Sequence, residues 1–332
     1  MIEMIVFGLS GNTAGDPAGG TGRVLSEWLA AHPFALVLTG MAAAVILLAL
    51  IWLIRRLTSR KEKALMAEAG KKAPVEGTTE KLKIGKLHEQ GERAGQQDCF
   101  GVSDESLIPD KGLLAVVADG MGGLSDGDRV SAVAVEAVLD SFTLYQGRCT
   151  PEQQLTLLAR QAVESVNGFL GTSGQSKSGC TLLLGLVRDG RFTFLSVGDS
   201  RVCLYRHGEL MQLNREHIYR NKLALDAVNG ELPLQEAYSD PKGNGLVSFV
   251  GMGVLAYMDM PAGPMRLLGG DKLLLMSDGV YNALEEEELK QALEAEPEEA
   301  VERLRQAIEE KAYTNQDNYT AVVIGYGFEA EE

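Results

Sequence analysis

The sequence predicts a layered α+β domain preceded by one transmembrane helix, and three observations carry that prediction. Apolar runs of strand length arrive in groups, with paired amphipathic helices between them. Three of those runs end in an aspartate followed at once by a small or turn-forming residue. Near the amino terminus stands a 21-residue stretch, Phe34 to Ile54, without a single charge. Grouped strands and paired helices argue for packed layers rather than alternating βαβ units.

The first element in chain order is the uncharged stretch. At about 1.5 Å per residue its length matches the roughly 30 Å hydrocarbon core of a bilayer. Trp28 and Trp52 lie near its two ends, where amphipathic rings favour the interface. Seven cations follow it (Arg55, Arg56, Arg60, Lys61, Lys63, Lys71 and Lys72) and only Arg23 precedes it. That asymmetry predicts a single-pass protein of the cell membrane, with its amino terminus outside and the rest cytoplasmic. Residues 1–33 then read as a flexible external tail and 55–80 as a basic juxtamembrane segment and linker.

The soluble domain is expected over residues 81–328. Strands are predicted at Leu113–Ala118, Thr181–Val187, Phe192–Val197, Val202–Tyr205, Leu273–Met276 and Ala321–Ile324. Between the first two, Val130, Val133, Ala134, Ala137, Val138 and Phe142 share one helical face, and Leu155, Leu158, Ala159, Ala162, Val163, Val166, Phe169 and Leu170 share another. Two further helices are expected near the end, one around Glu285–Leu293 and one opened by Pro297. The run Glu285 to Glu288 reads as a solvated helix start favoured by the dipole. Residues 218–264, rich in Gly and Pro, read as a partly irregular insertion of the kind that lies over a site.

Charge and cysteine content exclude several classes. The chain carries a formal charge of −15, yet residues 1–72 hold eight Lys/Arg against five Asp/Glu, which leaves −18 for the remainder. So acidic a domain is not built to bind nucleic acid, whose phosphates need clustered cations. Cys99, Cys149, Cys180 and Cys203 are scattered with no C-x-x-C pair, so neither a zinc knuckle nor a disulfide framework is expected.

The informative repetition lies at the strand ends. Asp119-Gly120 follows Val116 to Ala118, Asp199-Ser200 follows Leu195 to Gly198, Asp278-Gly279 follows Leu274 to Ser277, and Asp317-Asn318 precedes Ala321–Ile324. Each Asp-Gly alone reads equally well as a turn. Together, carboxylates fixed at the ends of strands repel one another unless cations separate them. An oxygen donor set without nearby Cys or paired His favours magnesium or manganese over zinc. Phosphoryl chemistry suits such a centre, with an arginine clamping the phosphate.

These residues fall into an ordered series: Arg93-x-x-Gln96-Gln97-Asp98, Asp119-Gly120-Met121-Gly122-Gly123, Ser178-Gly179-Cys180-Thr181-Leu182, Gly198-Asp199-Ser200-Arg201, Glu216-His217, Ser277-Asp278-Gly279 and Asp317-Asn318-Tyr319-Thr320. In content and order the series resembles the protein phosphatase 2C family, the metal-dependent serine/threonine phosphatases. The resemblance implies a four-layer α-β-β-α sandwich of two antiparallel sheets flanked by helix pairs, with 218–264 as a flap. It implies two Mn2+ or Mg2+ ions per site and a weaker third. Asp119 would bridge two ions, Asp278 and Asp317 would complete one, and the Gly120 carbonyl would serve the other. Asp98 would hold a coordinated water, Asp199 with Asp278 would hold the third ion, and Arg93 would bind substrate phosphate. Hydrolysis of phosphoserine or phosphothreonine would proceed by direct attack of an activated water or hydroxide, with no phosphoenzyme, on phosphoproteins modified by a serine/threonine kinase.

The series departs from the family pattern at several points. Gln96 stands where Asn is usual, Gln97 where many members have Glu, and Met121 where some carry a histidine that acts as general acid. Glu216-His217 replaces the common Asp-His, and His217 reads as structural. A binding-only relative that has lost catalysis is a competing class, although such proteins usually lack the aspartates retained here. A phosphatase dedicated to one regulator is a third.

Overall fold

Every long strand of the domain alternates its side chains between two different cores, which is what a layered sandwich demands. The computed structural model describes residues 82–121, 126–147 and 149–327. Contacts divide the chain after Thr78, and all described residues belong to the second unit. Eleven strands are described: β1 Leu82–Glu89, β2 Asp98–Val102, β3 Leu113–Met121, β4 Gly179–Cys180, β5 Leu182–Arg188, β6 Arg191–Val197, β7 Arg201–Arg206, β8 Glu209–Gln212, β9 Met265–Arg266, β10 Lys272–Met276 and β11 Tyr319–Tyr326. One sheet runs β1-β11-β10-β7-β8, the other β2-β3-β5-β6-β9 with β4 added beside β3. All ladders are antiparallel.

Along β3, Leu113, Ala115 and Val117 face the space between the sheets, where they meet Phe192, Phe194, Val202, Leu204, Leu273, Leu275, Val322 and Ile324. Its alternate residues Leu114, Val116 and Ala118 face outward, under two long helices. After a helical turn, α1 Ile108–Lys111, these are α2 Gly127–Leu144 and α3 Pro151–Gly174. Buried Val130, Ala134, Val138 and Phe142 on α2, and Leu155, Leu158, Ala159, Ala162 and Val166 on α3, form the stripes that the sequence predicts. Val133, Ala137, Val163, Phe169 and Leu170 are only partly covered at the stripe edges. α3 opens with a complete capping box between Thr150 and Gln153 and with Pro151 at its first position.

In the second half come α4 Tyr219–Val228, α5 Leu234–Ser239, α6 Asp278–Tyr281, α7 Glu286–Leu293 and α8 Pro297–Glu310. Leu289, Leu293, Ala300, Leu304 and Ile308 of α7 and α8 cover Leu274, Met276, Ala321 and Val323 of the five-stranded sheet. The described residues therefore form the four-layer sandwich, helices outside and two sheets within. Glu285 caps α7 and exchanges hydrogen bonds with Glu288, so the acidic run is indeed a helix start. The insertion 218–264 contains α4 and α5, and Val250 forms a bridge with Cys180 beside Gly120.

One expectation is corrected. The transmembrane helix expected at 34–54 lies outside the described residues, and among these no helix is long and apolar enough to cross a membrane. Each long helix is amphipathic and spends its apolar face on a sheet. The fold class of the described residues is therefore the α+β sandwich, with no membrane-spanning helix among them. Membrane attachment through that helix, and a single-pass location with the amino terminus outside, likewise have no support.

Candidate metal centre

Antiparallel order places five aspartates at one end of the sandwich. Asp98 begins β2 directly opposite Asp119 near the end of β3, and opposite residues share a face. Asp199 lies in the link from β6 to β7, Asp278 follows β10, and Asp317 precedes β11. β10 and β11 run antiparallel with Met276 opposite Ala321, which brings Asp278 and Asp317 to the same edge.

Hydrogen bonds fix this end. The Ser277 hydroxyl donates to Asp98 Oδ2 across 2.7 Å, tying the two sheets together, and Thr320 N–H donates to Ser277 Oγ at 3.0 Å. Asp119 N–H donates to Thr181 Oγ1 at 2.9 Å, and that hydroxyl is 2.7 Å from Ser200 Oγ. Asn318 accepts from Gln97 N–H and donates to the carbonyls of Gln90 and Gly95. It thereby holds the loop that carries Arg93. A Cβ at Gly120 would lie 2.2 Å from the Gly127 carbonyl oxygen, and one at Gly279 2.0 Å from that of Asn318. Only glycine fits in either place.

The electrostatics are those of crowded anions. Burial, opposed by hydrogen bonds from Ser277 and Thr320 and reinforced by repulsion from Asp278 and Asp317, raises Asp98 to about 6. Burial first, then Asp98, Asp278, Asp199 and Asp317, pushes Asp119 well above the usual carboxylate range. Burial and Asp278 raise Asp199 to about 7. Burial and Asp317 raise Asp278, against hydrogen bonding with Asp119 and the charge of Arg93. Among the described residues no three His, Cys, Asp or Glu side chains close on a single point as a preformed cage would. What fits a hard divalent cation is the donor set: repelling carboxylates and a glycine carbonyl, with no thiol or imidazole.

Arg93 forms an ion pair with Asp317, Nη2 to Oδ2 at 2.6 Å, and its side chain is 57 % exposed. All the predicted site residues thus share one end of the fold, with Arg93 at its rim. His217 accepts from Gly198 N–H through Nδ1 at 3.1 Å, and burial holds it below its ordinary pKa. Through that bond it holds the turn before Asp199.

Sequence reasoning assigned no role to Ser277, Thr320 or Tyr281. The Tyr281 hydroxyl donates to the Asp199 carbonyl at 3.2 Å, and its ring lies 3.6 Å beneath the Arg201 guanidinium, itself paired with Glu216. Ser277 beside Asp278 was the one available signal, because its hydroxyl sits at a strand end where it could only face the site or the core.

Comparison with known proteins gives the family and fold of this domain. The family model described as Protein phosphatase 2C matches residues 84–316. The serine/threonine phosphatase stp of Listeria monocytogenes is 27 % identical over 246 residues, covering 70 % of this chain and 90 % of its own. The crystal structure of the PPM Ser-Thr phosphatase MsPP of Mycobacterium smegmatis, in complex with cacodylate, is 28 % identical and superposes with a TM-score of 0.60, over 74 % of this chain and 98 % of that one. The catalytic domain of the phosphatase PstP, solved with two manganese ions, shares the fold at 24 % identity and a TM-score of 0.59, over 75 % of this chain and 100 % of that one.

Proposed function

Given that the chain belongs to the protein phosphatase 2C family and is a metal-dependent protein serine/threonine phosphatase with a centre of two Mn2+ or Mg2+ ions, we propose how its own residues divide the work. The carrying observation is the mutual repulsion of buried Asp98 and half-buried Asp119, Asp199 and Asp278 at one end of the sandwich. Asp119, central to that repulsion, would be shared by the two ions. Asp278 and Asp317 would help hold one of them, and the Gly120 carbonyl the other. Asp199 with Asp278 would hold a weaker third ion. Asp98, held by Ser277 opposite Asp119, would hold a water bound to the ions. When bound, the ions acidify a water and offset charge on the phosphoryl group.

The remaining steps fall to protein groups. Arg93 presents a planar fork at the rim, suited to a phosphate's paired oxygens. Its bond to Asp317 keeps that fork beside the centre. Met121 offers no proton, so no side chain at that position acts as general acid. The catalytic domain spans 81–328, with 218–264 as a flap stitched to β4 by the bridge from Val250 to Cys180. Its substrates are phosphoproteins, and it opposes a serine/threonine kinase.

The test uses the full chain and phosphate release from a phosphothreonine peptide, with Mn2+ and then with excess chelator. Activity should vanish with the metal, and Arg93→Ala should raise KM about tenfold or more, since a charged hydrogen bond contributes roughly 1.5–3 kcal/mol. Unchanged activity in chelator, or an unchanged KM in the variant, would remove this assignment.

A further inference from the structure

At the end of the six-stranded sheet away from the aspartates, β5 and β6 meet in a two-residue turn, Asp189-Gly190. Arg188 stands directly opposite Arg191, and Arg191 directly opposite Arg266 of β9. Opposite residues in antiparallel strands share a face, and like charges placed so destabilise the pair. Three adjacent strands thus line up three guanidiniums, and among the described residues none of them forms an ion pair. Their neighbour Arg206 shows the alternative, held by Asp271 through two hydrogen bonds of 2.6 and 2.8 Å. Such an uncompensated cationic row is unexpected in a chain of net charge −15.

Arg188 and Arg191 line a cavity of about 120 Å³ walled by Leu186, Pro151 and Pro264. Thr193 lines it too. That residue is 1 % exposed, and among the described residues its hydroxyl has no hydrogen-bond partner, a deficit that costs free energy unless something supplies one. Asp189 lies on the same wall at a positive φ of 52° and pairs with neither arginine. The amino end of α3 is closed by its own capping box, so it forms a wall rather than a donor.

We propose that this cavity is a second oxyanion site, taking a phosphate group through Arg188 and Arg191, with Arg266 supplying field and the Thr193 hydroxyl an additional hydrogen bond. β3 runs from this end, where Leu113 faces Val187, to Asp119. Six residues of strand separate the two ends, about 20 Å, so the site is separate from the metal centre. It takes either free phosphate, the product of the reaction, or a phosphorylated side chain. The proposal needs no particular assignment at the metal centre, only that phosphate is present around this enzyme.

The experiment is calorimetric titration of the Mn2+-loaded full chain with inorganic phosphate and, separately, with a phosphothreonine peptide made non-hydrolysable. Wild type should bind two phosphates, and Arg188→Gln/Arg191→Gln one, with affinity at the lost site reduced tenfold or more. Phosphate release from a small ester should be unchanged in that variant, which separates this site from the catalytic one. Thr193→Val, which keeps shape and removes the hydroxyl, should weaken the second site several-fold without lowering Tm. Tighter binding by the peptide than by phosphate would identify a phosphoprotein as the ligand, and the reverse order free phosphate. Equal stoichiometry and affinity in wild type and the double arginine variant would overturn the proposal.

Discussion

Ser277 joins the two sheets at the metal end through one hydroxyl, accepting from Thr320 N–H and donating to Asp98. Ser277→Ala removes both bonds and leaves Asp98 buried with one donor fewer. We expect a loss of about 1–3 kcal/mol in stability and roughly 10–100-fold weaker Mn2+ binding, the usual cost of deleting an outer-shell partner. Urea unfolding and manganese titration would read the two effects separately, and unaltered metal affinity would deny Ser277 its positioning role. Asp119→Asn and Asp278→Asn should each lower kcat/KM by roughly 10³, because metal-derived stabilisation of the transition state amounts to several kcal/mol. Circular dichroism should show both variants folded, since each exchange removes a repelled charge.

At the scale of elements, β3 carries the design. It buries Leu113, Ala115 and Val117 between the sheets and Leu114, Val116 and Ala118 beneath α2 and α3, then delivers Asp119 and Gly120 to the metal end. Phe142, fully buried near the end of α2, anchors that helix to the layer. Phe142→Ala should cost about 3–5 kcal/mol, seen as a lower urea midpoint at unchanged slope. Activity per folded molecule should persist, because the cavity opens far along the helix from Asp119. Gly120→Ala is of another kind. Its methyl would meet the carbonyls of Gly127 and Gln97 at 2.2 and 2.5 Å, so the start of α2 must move and Mn2+-dependent activity should fall together with stability.

For the whole molecule, the crowded carboxylates couple folding to pH and to metal. Asp98 and Asp199 rise from an ordinary 3.8 to about 6 and about 7 in the fold. A raised carboxylate adds stability that is fully present below its unfolded value and lost as pH climbs through the folded one. The metal-free protein should therefore lose Tm steadily between about pH 4 and pH 7. Cations that replace those protons restore it, so Mn2+ should raise Tm far more at pH 7.5 than at pH 5. Differential scanning calorimetry with and without chelator measures this, and a metal-induced shift independent of pH would contradict it.

Much of this was legible in the residues because it is local. Apolar runs place β3, β5, β6, β7, β10 and β11, and helical spacing places α2, α3, α7 and α8, since those segments carry strong periodicity. β1, β2, β4, β8 and β9 carry no such signal because they are short or charged at alternate positions, and pairing rather than composition makes them strands. The aspartates could be named as a set from their repeated position at strand ends. From the residues in order, then, come the strongly periodic strands and helices, and the standing of several carboxylates where strands stop. It takes the closed sheets to gather those stops at one end, to set Ser277 rather than a neighbour against Asp98, and to bring Arg266 beside the Arg188–Arg191 hairpin at the other. Contacts across strands depend on register, and register is set when the sheets close on their shared core.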